Sequence, residues 1–234
     1  PSCVAAGDSK VNTSGMEAVP PVGLVVFDVG GVLVEVISWE SAHLACGYGP
    51  DRLPPGETFL SKLRQLSGAY DRGALSPQEY EQSAANASAG RYSAADVRRI
   101  HAMQLQGEAP GVAAVFDALD RQGYDTALLS NTNPVHWTRL LSRADGVATY
   151  PTLLRATLRV ASFELRCAKP DPAIYGRFAQ AAGLPADALL FFDDREANVA
   201  AARLSGWRAE LIDPATDTAA QLLDHLRTHA CLTG

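Results

Sequence analysis

The run "LVVFDVGGVLVE", residues 24–35, decides how the rest of the chain is read. Four apolar residues lead straight into Asp28, and Gly30 and Gly31 come after one valine. A continuous apolar run suits a strand covered on both faces, as in a parallel sheet. Taken alone, Asp28 reads as a strand-end or turn residue. Residues further along the chain change that.

A recurring unit continues the pattern: a helical stretch, a glycine, then a short apolar run ending in polar residues. In "GVAAVFDALDRQG" (111–123), Val112, Val115, Phe116 and Leu119 fall at i, i+3, i+4 and i+7 and make one apolar face. Gly123 supplies a helix stop, and "YDTALLSNT" (124–132) continues as a strand. The unit returns as "PAIYGRFAQAAG" before "ADALLFFDD", and as "NVAAARLSG" before "WRAELID"; "RVASF" (159–163) reads as a weaker strand. Alternation of this kind predicts an α/β fold with a Rossmann-like, doubly wound parallel sheet.

Residues 38–108 have another texture, with no strand run. "FLSKLRQLSGAY" places Phe59, Leu63, Leu66 and Tyr70 on one helical face. "SPQEYEQSAANA" and "SAADVRRIHAMQL" also read as helices, each with a serine N-cap. A block of about seventy residues is too long for a βα connection and reads as an inserted, all-helical subdomain above the first strand's carboxyl end. The expected division is a flexible or processed tail over 1–20, an α/β core over 21–37 and 109–234, and a helical cap over 38–108.

Composition narrows the function class. The formal net charge of −6 argues against a nucleic-acid or membrane-surface binder. No apolar run approaches the ~20 residues a bilayer span needs. The opening "PSCVAAGDSKVNTSGMEAVPP" has no signal-peptide core. Cys3, Cys46, Cys167 and Cys231 are scattered without metal-ligand spacing. A cytoplasmic protein with reduced thiols is the expectation.

Ligands of open α/β sheets bind beyond the carboxyl ends of the strands. There the pattern places Asp28-Val29-Gly30-Gly31, Ser130-Asn131-Thr132-Asn133, Lys169-Pro170-Asp171 and Asp193-Asp194. Converging carboxylates need a cation, and hard oxygen ligands suit Mg²⁺. A metal beside a lysine then attracts a dianion such as phosphate.

"FDVGGVL", "LLSNTNP", "AKPDPAIY" and "FFDDREANVAAARLSGW", in that order, resemble the four motifs of the haloacid dehalogenase (HAD) superfamily. The likeness spans about residues 22–212, and the helical insertion is similar to that superfamily's C1 cap. The nearest branch in texture carries F-D-x-G-[GN]-V and includes phosphatases of sugar phosphates. This resemblance implies a sheet order of 5-4-1-2-3 with the cap closing over the site. It implies Asp28 as the nucleophile, forming an aspartyl-phosphate, with Lys169 as its catalytic partner. Mg²⁺ would be held by Asp28, the Gly30 carbonyl and Asp194, with Asp193 a direct or water-mediated ligand. Gly30, Gly31, Ser130 and Asn131 would bind phosphate. The implied partner is a small phosphorylated molecule.

The chain departs from the pattern at Gly30, where most HAD phosphatases carry a second aspartate as general acid and base. Three readings are open: a phosphatase using a cap residue, a water relay or a good leaving group; a 2-haloacid dehalogenase, whose halide leaves without a proton; or a binder without turnover. The Asp193-Asp194 pair and the non-aromatic position 30 favour the first.

Other residues carry bland readings beside functional ones. Asp193-Asp194 also suit a helix start, where the dipole favours acids. Asn198 reads as a support for the acids or as helix packing, and Arg195 as their ion-pair partner. His136 and Trp137 open a helix beside the serine loop. His225 and His229 fall four apart and read as a solvated helix face. Trp39, His43, Tyr70 and Arg72 are cap residues that either select substrate or fill the bundle.

Overall fold

The computed structural model describes residues 21–54, 57–144 and 146–232. The expected tail over 1–20, and Cys3 within it, lies outside these residues. In chain order the strands are β1 (Leu24–Phe27), β2 (Val34–Val36), β3 (Leu105–Glu108), β4 (Thr126–Ser130), β5 (Arg143–Ala144), β6 (Val147–Ala148), β7 (Leu158–Ala161), β8 (Leu189–Asp193) and β9 (Arg208–Leu211). The α-helices are α1 (Trp39–Ala45), α2 (Glu57–Tyr70), α3 (Pro77–Ala87), α4 (Ala94–Met103), α5 (Val112–Arg121), α6 (Pro134–Leu141), α7 (Ser162–Leu165), α8 (Pro172–Ala182), α9 (Glu196–Leu204) and α10 (Thr218–Thr228).

Five strands pair in parallel in the order β7-β4-β1-β8-β9, the expected order counted along the core. Period-2 alternation explains the continuous apolar runs. Val25 and Phe27 face a core shared with Val115, Phe116 and Leu222, whereas Leu24 and Val26 face one built with Phe178, Val199 and Trp207. Helices α5 and α10 cover the first face, and α8 and α9 the second. The weak strand is shorter than "RVASF" suggests, because Ser162 and Phe163 turn into α7.

Helices α1 to α4 pack around their own apolar cluster, with Trp39, Phe59, Tyr70, Tyr80, Tyr92 and Ile100 at its centre. Ser76 and Ser93 form capping boxes with Glu79 and Asp96, satisfying N–H groups that helix geometry leaves free. Of the apolar face read on α2, Phe59, Leu63 and Tyr70 are buried and Leu66 is partly so.

The insertion is not helical throughout. Its last residues form β3, which pairs antiparallel with β2 into a neck where the chain leaves and re-enters the core. The sequence extends the preceding helix through Leu105, but α4 stops at Met103. A four-residue strand between a helix and a proline is too short to show a period of two.

Candidate active site

β1 is central, so its end is flanked by both neighbours. Asp28 continues the ladder, its N–H donating to Phe192 O at 2.8 Å. That register puts Asp28 between the ends of β4 and β8, level with Leu129, one residue before Ser130, on one side and with Asp193 on the other. Chain direction along the sheet reverses at β1/β8, the place where open α/β sheets form a crevice.

Lys169 holds this edge together. Its buried Nζ lies 2.9 Å from Asp28 Oδ1 and 2.7 Å from Asp193 Oδ2, and it donates to Leu129 O at 2.8 Å. The three ammonium protons are therefore all engaged. The Lys169 backbone is fixed by Asn131, whose side chain donates to Lys169 O at 2.7 Å and accepts its N–H at 2.8 Å. The Asn131 side chain thus braces the lysine loop.

Asp193 is fully buried and satisfied. Besides the lysine, its Oδ1 accepts from the Arg195 N–H at 2.9 Å and from Asn198 Nδ2 at 2.8 Å. Asn198 therefore supports the acids, and Tyr175 OH fixes the Asn198 carbonyl at 2.8 Å. Arg195 contributes its backbone rather than an ion pair; among the described residues its guanidinium forms no salt bridge. Replacing Asn198 by alanine is expected to lower metal affinity about 10–100-fold, the usual effect of losing a group that orients a ligand. Calorimetric Mg²⁺ titration of Asn198→Ala measures it.

Asp28, Asp193 and Asp194 offer oxygens within 4.8 Å of one another. Against one lysine, the ionised cluster is two negative charges in excess. Burial raises the Asp28 carboxyl above the ordinary range, with Asp193 and Asp194 adding and Lys169 opposing. Burial and Asp193 raise Asp194 as well. Burial alone would lower Lys169, but Asp28 and Asp193 outweigh it and hold the ammonium charged. Such a cluster stays ionised only with a further cation.

The donor set fits a hard divalent ion. Gly31 donates to Val34 O, and Val34 donates to Val29 O, so among the described residues the turn leaves the Gly30 carbonyl without a backbone partner. At Gly31, φ is +79°, and a Cβ would lie 2.5 Å from Asp194 Oδ2. Only glycine lets Asp194 approach this turn. Asp28, Asp193 and Asp194, beside the Gly30 turn, are the groups that could hold such an ion.

The site opens into a cleft of about 1220 Å³ between sheet and helical bundle. Ser130, Asn131, Gly30 and Gly31 line it, as do Trp39, Arg72 and His136. Of the other residues singled out in the sequence, His43 is core: it bonds Gly49 O at 2.8 Å and Tyr92 OH at 2.8 Å. Tyr70 stacks on Tyr80 at 4.7 Å, and Trp137 is buried under α6. His225 and His229 do not form a solvated face. His229 pairs with Glu210 at 2.7 Å and His225 lies 3.9 Å from the same carboxylate, because β9 runs beneath the end of α10. Among the described cysteines, Cys46, Cys167 and Cys231 are free and buried.

A profile of haloacid dehalogenase-like hydrolases matches residues 22–206. The chain belongs to this hydrolase family. Protein CbbY of Rhodobacter capsulatus is 27% identical over 198 residues, covering 80% of this chain and 83% of CbbY. A HAD family enzyme of Bacteroides thetaiotaomicron, solved with magnesium and inorganic phosphate, superposes with a TM-score of 0.67 at 20% identity, over 86% of this chain and 98% of that one. L-2-haloacid dehalogenase of Xanthobacter autotrophicus, with chloropropionic acid covalently bound, gives 0.58 at 18% identity, over 91% and 85%. Identities this low establish a shared HAD fold, and the choice of chemistry rests on this chain's own residues. No helix among the described residues is long and apolar enough to cross a membrane.

The contacts between bundle and core have no signature in the sequence. Ser162 Oγ accepts the Thr132 N–H at 2.9 Å and donates to Asp71 O at 2.5 Å. Asn133 caps α6, accepting from the His136 N–H, and its Nδ2 donates to Asp71 Oδ1 at 3.2 Å. His136 Nε2 bonds His101 O at 2.9 Å while the two rings stack at 3.8 Å. Apart from the α6 cap, the partners lie 30 residues or more apart in the chain, and no local pattern announces them.

Burial lowers both histidines, His136 to about 4 against an ordinary 6.5. A base whose folded pKa is depressed contributes stability above its unfolded pKa and loses it as pH falls. His136 is therefore expected to remove about 3 kcal/mol of stability between pH 6.5 and 4. Urea midpoints across that window test this, and His136→Gln should flatten the slope.

Proposed function

We propose that the protein is a Mg²⁺-dependent phosphatase that hydrolyses a small phosphate monoester, in the sugar-phosphate class, through an aspartyl-phosphate on Asp28. The carrying observation is the state of that carboxyl. Its Oδ1 is fixed by the Val29 N–H at 2.7 Å and by Lys169, while Oδ2 has no hydrogen bond among the described residues, and Asp28 lines the cleft. A nucleophile is thereby aimed with one oxygen free to meet phosphorus.

The chain's own groups fill the remaining roles. Lys169 orients Asp28 and offsets negative charge as the P–O bond to the leaving group breaks. Ser130 Oγ and the backbone N–H groups of Gly30 and Asn131 receive the equatorial oxygens, the Gly31 and Thr132 N–H groups being already bonded within the protein. Arg72 and Trp39, across the cleft, belong to the part that meets the rest of the substrate. Asp28, Asp194 and the Gly30 carbonyl, with Asp193 behind them, would hold Mg²⁺, which would supply neutralisation of carboxylate–phosphate repulsion.

Haloacid dehalogenation is the second reading, kept open by the lack of an acid at position 30. The crowding of three carboxylates counts against it, since a halide-displacing site has no use for a divalent cation. A phosphate-ester panel with and without Mg²⁺, beside 2-haloacids, tests the reading. Phosphate release that needs both Mg²⁺ and Asp28 is expected; metal-independent halide release would replace this reading with the dehalogenase. Retained phosphate binding without turnover of either class would leave a binder.

A further inference from the structure

The glycine at position 30 leaves proton transfer without an owner. A Cβ there would lie 3.1 Å from Val36 Cγ2, so the fold has packed a valine beside the space a longer side chain needs. The proton donor must come from elsewhere in the cleft. His136 is spent, its Nε2 proton being donated to His101 O. Asp194 belongs to the carboxylate cluster that would hold Mg²⁺. Glu35 is exposed on the neck.

Asp71 is placed differently. It comes directly after the last residue of α2, lines the same cleft as Asp28, and is half-buried. Its backbone carbonyl is tied through Ser162 to Thr132, two residues beyond Ser130. Its Oδ1 accepts from Asn133, whose amide orientation is fixed because the other end caps α6. The same Asn133 Nδ2 lies 3.3 Å from His101 Nε2, which accepts in the neutral ring. The serine loop thus carries the proposed phosphate ligands on one side and holds Asp71 on the other, while among the described residues Asp71 Oδ2 makes no hydrogen bond.

Resting on the phosphatase reading, we infer that Asp71 is the general acid and base of the reaction, supplied by the helical bundle in place of the residue absent at position 30. In the first step an Asp28 oxygen bonds to phosphorus and the bond from phosphorus to the leaving oxygen breaks. That oxygen takes the Asp71 carboxyl proton and departs as the alcohol. In the second step Asp71 carboxylate takes a proton from water as the water oxygen bonds to phosphorus. The bond from phosphorus to Asp28 breaks, releasing inorganic phosphate and restoring both side chains.

The surroundings suit a proton shuttle. Burial raises the Asp71 carboxyl to about 6, with the Asn133 bond and Arg72 opposing. The other titratable groups around it are Tyr70 and Tyr80 on the bundle, whose pKa values burial raises to about 12, and His101 and His136, which stay neutral. A carboxyl near neutrality can serve in both directions.

Asp71→Asn tests the inference with two leaving groups, p-nitrophenol and a simple alcohol. With the alkyl ester, kcat is expected to fall about 10²–10⁴-fold. With p-nitrophenyl phosphate, which needs no acid, the variant should release one equivalent of nitrophenol in a burst and then turn over slowly, because the water step lacks its base. Its KM for p-nitrophenyl phosphate should fall together with kcat, as slow breakdown of a covalent intermediate requires, and the acid limb near pH 6 in the wild-type rate profile should vanish. Unchanged Mg²⁺ affinity by calorimetry shows the fold is intact, and Asp71→Glu should restore part of the rate. Equal kcat of Asp71→Asn and wild type for both esters overturns the Asp71 role while the phosphatase reading stands. A wild type inert towards every ester overturns both.

Discussion

Asp28→Asn is expected to remove hydrolysis altogether, with kcat falling by about 10⁴-fold or more. Loss of a nucleophile costs on the order of 10⁶ in well-studied hydrolases, and nothing else at this sheet edge can replace the carboxylate. Lys169 is a buried cation with its protons engaged, Asp193 is fully bonded, and Asp194 stands behind Gly31. The amide keeps the shape and can still accept from Val29, so the protein should remain folded. It should also gain stability, since Asp28 is a buried carboxyl that burial and two neighbouring acids disfavour. A variant that is more stable and inactive separates a catalytic carboxylate from a structural one. Phosphate release and urea unfolding on the same sample read both.

Lys169→Met is expected to be the most destabilising single change at the site. The ammonium is completely buried and pairs with Asp28 and with an equally buried Asp193. Removing one partner of a buried ion pair costs about 3–5 kcal/mol, because the remaining charge stays unpaired. The sign with pH is defined. Without the lysine, Asp28 and Asp194 have folded pKa values raised still further above their unfolded ones. The deficit is therefore largest above that raised range and shrinks as pH falls and the carboxyls take up protons. Saturating Mg²⁺ should restore part of the loss by binding the folded state. Urea unfolding at several pH values, with and without Mg²⁺, measures all three effects.

The core was legible because its signals are local. Four apolar runs, each ending in polar residues, mark strands whose parallel pairing brings the ends that carry Asp28, Ser130 and Asp193 to one edge of the sheet. Serines before α1, α3 and α4, and a glycine after α8, mark those helix ends. The neck escaped because β2 and β3 are short and pair across nearly seventy residues of chain, so neither shows a periodicity. Asp71 escaped for another reason. Between Tyr70 and Arg72 it reads as the polar end of a helix, and its meaning lies in Asn133 and Ser162, at separations of 62 and 91 residues. The same holds for Arg195, whose charge suggests an ion pair though its backbone N–H does the bonding. Residues that meet only through tertiary packing leave no pattern in the chain.

The covalent step at Asp28 is the claim on which the rest depends. Rapid quenching of the Asp71→Asn protein during turnover of p-nitrophenyl phosphate, followed by borohydride reduction and peptide mass spectrometry, tests it directly. An acyl phosphate is reduced where a free carboxylate is not. Reduction confined to position 28, and dependent on Mg²⁺, is the predicted result. A phosphate-releasing protein whose Asp28 is never reduced, or in which another carboxylate carries the label, would contradict it.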